Sequence, residues 1–340
     1  MKAQKKKKKG RVVCLILEFI LLLLIAGGLF ATVQLRRMGH TSIKNLIVNQ
    51  DAAVTTPSGY RNIALFGVDS REGELESGTN SDTIIICSIQ KKTGAIRLAS
   101  VYRDTYLDCT NGEYRKATEC YAIGGAELAL SMLNKNLDLD IEDFVTVDFN
   151  SIVEMVDLIG GVEIDVMEEE LEWLNGYCVE NYQVTGVEYE PLTEAGVHNL
   201  TGIQALAYCR IRYTDGWDYK RTERQREVLG KIFRKAQQQG VVKVLEIVNQ
   251  MLPSIETSLG MADIISLASG ISSYTIEDTT GFPFDKTSVD ISAGDVVVAV
   301  DLAANVKQLH EYLFEDTSYT PSATVQEISD TIAAETGITG

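Results

Sequence analysis

Thr83-Ile-Ile-Ile-Cys-Ser-Ile89 and Ala95-Ile-Arg-Leu-Ala-Ser-Val101 flank Lys91-Lys-Thr-Gly94 and read as two apolar strands around a glycine-containing turn. If position 91 pairs with 94, paired positions sum to 185, and Asp82 falls opposite Arg103 with Asp104 beside it. A one-residue slip leaves Asp82 and Arg103-Asp104 at the same end of the sheet. Asp69 closes a strand expected over 62–68 and joins them if that strand runs beside the second hairpin strand. Two carboxylates at one sheet edge suit a hard divalent ion, which keeps several waters and bridges carboxylates to phosphate oxygens. Asp82 and Asp104 are therefore the candidate metal ligands, for magnesium or manganese.

Further along, Arg210-Ile-Arg212 and Asp218-Tyr-Lys-Arg221-Thr-Glu-Arg224-Gln225 place four arginines within sixteen residues. A strand over 205–212 sets Tyr208, Arg210 and Arg212 on one face and Ala207, Cys209 and Ile211 on the other. A helix capped by Asp218 and running to about 239 aligns Arg221 and Gln225 with Val228 and Ile232. That stripe is polar in its first turn and apolar below, so its N-terminal end is expected at a site. Guanidiniums converging beside a helix N-terminus form a receptor for phosphate or pyrophosphate, because the planar fork matches phosphate oxygens.

Around these segments the pattern alternates. Short strands are expected at 145–149 and 162–166. Helices are expected at 122–136 and 151–159, and the segments 241–251, 261–273, 289–300 and 303–314 are expected to be further helices with at least one strand among them. Residues 167–197 read as an irregular insertion, 34–60 as a polar extracellular spacer, and 319–340 as a flexible tail. Helices and strands mixed along one chain predict an α/β or α+β sandwich.

The N-terminal end reads separately. Residues 1–11 are basic, and 12–33 are apolar except for Glu18. Twenty-two residues at about 1.5 Å each reach roughly 33 Å, enough to cross a bilayer. Lysines before this span outnumber the arginines after it, which predicts a cytoplasmic N-terminus and an extracellular remainder. Beyond residue 37 the chain holds 22 basic and 47 acidic residues, a net charge of −25. That balance excludes non-specific nucleic-acid binding. Six cysteines in 340 residues do not form a disulfide framework. Cys109 and Cys120 flank a turn and can pair if the compartment is oxidising.

Several ordered motifs resemble the LytR–CpsA–Psr family. They are Asn62-Ile-Ala-Leu-Phe-Gly-Val-Asp69-Ser-Arg, Ser81-Asp82-Thr83-Ile, Ser100-Val-Tyr-Arg103-Asp104-Thr105, Lys116-Ala-Thr-Glu-Cys-Tyr121-Ala-Ile-Gly-Gly125 and Val156-Asp-Leu-Ile-Gly-Gly161-Val. Leu200-Thr-Gly-Ile-Gln-Ala-Leu-Ala-Tyr-Cys-Arg210-Ile-Arg212 and the Asp218–Gln225 run complete the set. The resemblance covers 61–235 and implies a catalytic domain over 61–318, folded as a three-layer α/β/α sandwich on a mixed central sheet. It implies transfer of an anionic glycopolymer from a polyprenyl-pyrophosphate carrier to peptidoglycan, with a divalent metal at the pyrophosphate. Asp82 and Asp104 then match the metal aspartates. Arg103, Arg210, Arg212, Arg221 and Gln225 match pyrophosphate contacts, and Arg224 and Lys116 join them. Asp218 matches an acid near the reacting centre, with Arg103 and Arg221 beside it. Two departures stand out: Tyr102 replaces the family's usual Pro, and Thr118 and Cys120 replace Asn and Ala in the Lys116 motif.

The chemistry is coherent in itself. Attack of a sugar hydroxyl on a pyrophosphate needs the leaving phosphate neutralised and the nucleophile oriented, tasks for arginines, metal and a carboxylate such as Asp218. The lipid needs an apolar groove, for which the stripes of helices 122–136 and 151–159 are candidates. A lipid-pyrophosphate phosphatase uses the same site with water as acceptor. A non-catalytic lipid-pyrophosphate sensor needs only the binding half. A thiol transpeptidase built on Cys209 and His198 conflicts with the expected strand alternation.

Overall fold

The computed structural model describes residues 39–50, 57–70 and 75–340. The expected membrane helix over 12–33 lies outside them, and among the described residues no helix is long and apolar enough to cross a membrane.

At the centre is a seven-stranded mixed sheet. Its strands are β1 (Gly39–His40), β2 (Tyr60–Val68), β3 (Ser81–Gln90), β4 (Ala95–Val101), β7 (Asp143–Val147), β10 (Ile255–Thr257) and β11 (Thr275–Phe282). Their order is β1-β10-β7-β2-β3-β4-β11. β2, β3 and β4 are antiparallel neighbours, whereas β7 and β11 run parallel to β2 and β4. The β3–β4 register pairs Ile85 with Ser100 and Ile86 with Ala99, the sum of 185 expected from the turn. β2 lies beside the first hairpin strand, with Val68 against Ser81, and this still brings Asp69 to the Asp82 end.

Period-two alternation sorts the sheet into two apolar faces. Phe66, Ile84, Ile86 and Val101 pack on one side against helices α1 (Ala117–Leu137), α7 (Leu302–Phe314) and α8 (Ala323–Thr336). Ile63, Ile85, Ile89 and Leu98 face the other way, toward Leu229 and Phe233 of α5 (Trp217–Met251) and Leu267 of α6 (Met261–Ser269). Such fully buried side chains each contribute roughly 1.5–3 kcal/mol. The second layer also carries α2 (Phe149–Leu158), α3 (Glu168–Thr185), α4 (Gly202–Arg210) and the hairpin of β8 (Val162–Val166) with β9 (Gly196–Leu200). The result is the α/β/α arrangement. A smaller hairpin, β5 (Tyr106–Asp108) with β6 (Tyr114–Lys116), leads into α1, and β12 (Lys286–Ile291) pairs with β13 (Gly294–Ala299).

Two glycines fix close approaches. Gly125 has φ +63 and breaks α1, and a Cβ there would sit 2.2 Å from the Glu76 carbonyl oxygen. At Gly202 a Cβ would meet the Val153 carbonyl at 2.1 Å, so α4 starts directly against α2.

Four local expectations change. Residues 202–210 are a helix, not a strand: Thr201 and Gln204 form a capping box that starts it. The insertion expected at 167–197 is mostly α3, begun by three glutamates in its first turn, where a helix N-terminus favours anions. The tail is ordered. Val325, Ile328 and Ile332 are buried, Ser322 caps α8, and the Tyr319 hydroxyl donates to Asp138. Within the expected spacer, Gly39–His40 pairs with β10 and Lys44 donates its backbone N–H to Glu127.

Candidate active site

The strand ends carrying Asp69, Asp82 and Asp148 open onto the first turns of α5. Gly216 (φ +90), not Asp218, is the N-cap of that helix, so Asp218 sits in the first turn. The side chains there form one charged cluster. Asp82 faces three guanidiniums, Arg103 at 2.8 Å, Arg212 at 3.6 Å and Arg221 at 3.9 Å. Asp218 faces the same three, at 3.7, 3.7 and 3.1 Å. Asp104 pairs with Arg103 at 3.4 Å and with the Lys116 ammonium at 3.0 Å. Four cations thus meet three carboxylates, and the aspartates hold the arginines at fixed mutual positions.

Arg221 is the buried member, 2% exposed. Burial, helped by the like charges of Arg212 and Arg103, brings its guanidinium down to about 10 against the pull of Asp218 and Asp82, so it stays charged at neutral pH. For Arg103, burial is outweighed by Asp82, Asp218 and Asp104, and its pKa is raised. Among the described residues, no hydrogen bond reaches the Nε atoms of Arg103 and Arg221 or Oε1 of Gln225. Buried polar atoms in that condition are open to a hydrogen bond with a ligand or ordered water.

A cavity of about 720 Å³ runs from this cluster between the sheet and the helical layer. Asp82, Arg103, Arg212, Arg221 and Gln225 line its charged end. Its apolar walls include Leu65 and Val145 of the sheet, Ile152 and Met155 of α2, and Val228 and Ile232 of α5. The Arg221-Gln225-Val228-Ile232 stripe expected from the sequence therefore lines one cavity from its charged end into its apolar interior. Of the two helices expected to line an apolar groove, α2 lines this cavity through Phe149, Ile152 and Met155. The buried residues of α1 lie in the core on the opposite sheet face.

Asp82 and Asp104 lie on either side of Arg103, with their side chains 27% and 25% exposed. Their hard, partly exposed oxygens fit magnesium. No group of three or more His, Cys, Asp or Glu side chains that could hold a metal ion exists among the described residues.

The model of the LytR_cpsA_psr family matches residues 32–311. The chain belongs to that family. It is 25% identical over 299 residues to the polyisoprenyl-teichoic acid–peptidoglycan teichoic acid transferase TagT of Bacillus subtilis, covering 85% of this chain and 90% of TagT. It is 28% identical over 242 residues to biofilm regulatory protein A of Streptococcus mutans, covering 66% of this chain but 57% of that protein. A structure of TagT with bound octaprenyl pyrophosphate lipid superposes with a TM-score of 0.53 at 19% identity, over 88% of this chain and 98% of that one. The likeness supports the mixed-sheet α/β fold.

Within this family member, two arginines stand apart from the cluster. Arg210, at the end of α4, is tied to Asn181 and Glu180 and lies over the rings of Phe149 and Tyr177. It reaches the cavity wall but none of the aspartates, because a helix rather than a strand carries it. Arg224 is 1% exposed and fully engaged by Glu170, the Ile211 carbonyl and Thr214. It clamps the loop before α5 to α3 and does not line the cavity, which corrects its expected role at pyrophosphate. Helical periodicity also replaces the argument against Cys209: burial pushes its thiol up to about 12, the condition of an inert cysteine. Cys109 and Cys120 are free and buried. Sequence reasoning passed over Tyr213 and Trp217, which lie between the two arginine-bearing runs. Large aromatics between Arg212 and Asp218 were the available signal.

Proposed function

We propose that this protein transfers an anionic glycopolymer from a polyprenyl-pyrophosphate carrier to peptidoglycan. One observation carries the reading: three arginines converge at the mouth of a cavity whose interior is apolar. Few ligands other than a prenyl pyrophosphate match a multiply charged head continuous with a long apolar body. The name of TagT, which aligns along most of the chain, supports the same substrate class.

Arg103, Arg212 and Arg221 bind the pyrophosphate, with Lys116 and Gln225 at its margins. Their charge is fixed before substrate arrives, so little reorganisation opposes the build-up of negative charge on the leaving phosphate. An acceptor hydroxyl oxygen bonds to the phosphorus bearing the glycopolymer, and the bond from that phosphorus to the bridging oxygen breaks. Polyprenyl phosphate departs with that bond's electrons, and the hydroxyl proton passes to Asp218. A magnesium or manganese ion held by Asp82 and Asp104 would add positive charge at the phosphate oxygens. The apolar walls from α2 and α5 hold the lipid and keep water from the reacting centre. The basic segment 1–11 and apolar stretch 12–33 support a single-pass anchor with the catalytic domain outside.

Calorimetry with geranylgeranyl pyrophosphate tests the binding half. Saturable binding that weakens in Arg221→Ala supports the reading, and equal affinity for geranylgeraniol contradicts it.

A further inference from the structure

Trp173, Tyr213 and Trp217 form a continuous exposed aromatic row at the mouth of the cavity. They are 38%, 54% and 65% exposed. Trp173 and Tyr213 lie 4.7 Å apart between ring centroids with planes 35° apart, and Tyr213 and Trp217 lie 6.1 Å apart. Trp173 and Tyr213 line the cavity, and Trp217 extends the row outward. Exposed aromatic surface of this kind marks a binding site more often than a folding requirement. A second observation is independent of exposure. Trp217 has φ +47, left-handed backbone that a bulky residue adopts only at a cost of about 1–3 kcal/mol. Glycine would hold that position without strain, so stability does not account for tryptophan.

We propose that this row is a platform for a pyranose ring of the acceptor, an uncharged glycan strand. One face of a pyranose presents C–H groups whose positive edges suit the negative face of an aromatic ring. Position selects the acceptor. Trp217 adjoins Asp218, the group assigned the acceptor proton, and Tyr213 adjoins Arg212 at the phosphate. Charge selects a neutral partner. Helix α3, which carries Trp173, presents Glu168, Glu169 and Glu172 to solvent and holds no lysine or arginine, so it repels both an anionic lipid surface and a polyanionic donor chain. The choice of acceptor rests on the transfer reading above, while the platform itself is tested by binding alone.

Trp173 and Trp217 are the chain's two tryptophans, so intrinsic fluorescence reports on the row without background. The experiment titrates the full chain in detergent micelles with the β-1,4-linked tetrasaccharide of N-acetylglucosamine, and separately with geranyl pyrophosphate. The expected result is a saturable emission change with saccharide. Trp217→Gly weakens that affinity about tenfold or more while the melting temperature stays level or rises. No saturable change with saccharide overturns the platform. So does quenching of both tryptophans by brominated phosphatidylglycerol in nanodiscs, which assigns the row to lipid. A Trp217→Gly protein that melts lower and keeps full saccharide affinity also overturns it. Failure of geranyl pyrophosphate to bind counts against the transfer reading instead, and the saccharide titration still decides the platform.

Discussion

Arg103 Nη1 donates to Asp82 Oδ1 at 2.8 Å across the open end of the β3–β4 hairpin. The contact follows from strand register, because the pairing that puts Ile85 against Ser100 brings residues 82 and 103 level just past the ladder. Backbone pairing thus sets the spacing between a candidate metal ligand and a candidate phosphate ligand. The same aspartate also holds Arg212 and Arg221, so one carboxylate organises the arginines.

Arg221 is costly to the fold, since its charge is buried and its pKa depressed to about 10. The folded state binds this proton less tightly than the unfolded chain, so the group's penalty is fully present at neutral pH and fades as pH rises through about 10 toward its unfolded value. Arg221→Met is expected to melt at or above the wild-type temperature at pH 7 and to lose about 10²-fold or more in turnover. Thermal melts beside rate assays check both halves.

Arg224 and Arg212 should separate in the opposite sense. Arg224→Ala leaves Glu170 buried without its partner and is expected to cost about 3–5 kcal/mol of stability. The fraction that remains folded should bind prenyl pyrophosphate normally. Arg212→Ala, at a side chain 33% exposed, should change stability by less than about 1 kcal/mol and weaken ligand binding. Denaturant titration and calorimetry on both variants check the contrast.

The cavity walls should read lipid length. Val228→Trp fills space below the charged end, so geranyl pyrophosphate should still bind while longer prenyl pyrophosphates lose affinity. Equal loss for every chain length would place the lipid elsewhere.

Asp218→Asn removes a carboxylate shared by three arginines and keeps the shape. Turnover should fall by about 10²–10⁴-fold, with substrate affinity unchanged or tighter. Single-turnover rates beside equilibrium binding distinguish this from a general loss of the site.

Deleting 319–340 should destabilise the domain, because Val325, Ile328 and Ile332 leave a core that each supports by roughly 1.5–3 kcal/mol. A truncated protein with unchanged melting temperature would contradict the packing described for α8.

Much of the fold was legible where the signal is local. Two apolar runs around a Gly-containing turn pointed to β3, β4 and their register, and i, i+4 spacing to the cavity stripe of α5. What misled was composition. Ala205-Leu-Ala-Tyr-Cys-Arg210 alternates in size much as a half-buried strand does, yet the Thr201–Gln204 capping box decides for helix. The glutamate-rich start of α3 looked too polar for a regular element, although acidic first turns favour helix N-termini. The tail's Ser and Thr residues hid a buried stripe at 325, 328 and 332, whose i, i+3, i+7 spacing was available. For the site, motif order brought Arg103, Arg212, Arg221, Asp82 and Asp218 together. It could not tell that Arg224, one turn further along the same helix, points away from them to Glu170.

The most direct test of glycopolymer transfer incubates the full chain with a polyprenyl-pyrophosphate-linked oligosaccharide, magnesium and a soluble peptidoglycan fragment, followed by mass spectrometry of the fragment. The account predicts a phosphate-linked adduct that is absent with Arg221→Ala and with Asp82→Ala. Release of polyprenyl phosphate with the fragment left unmodified would contradict it and identify a hydrolase.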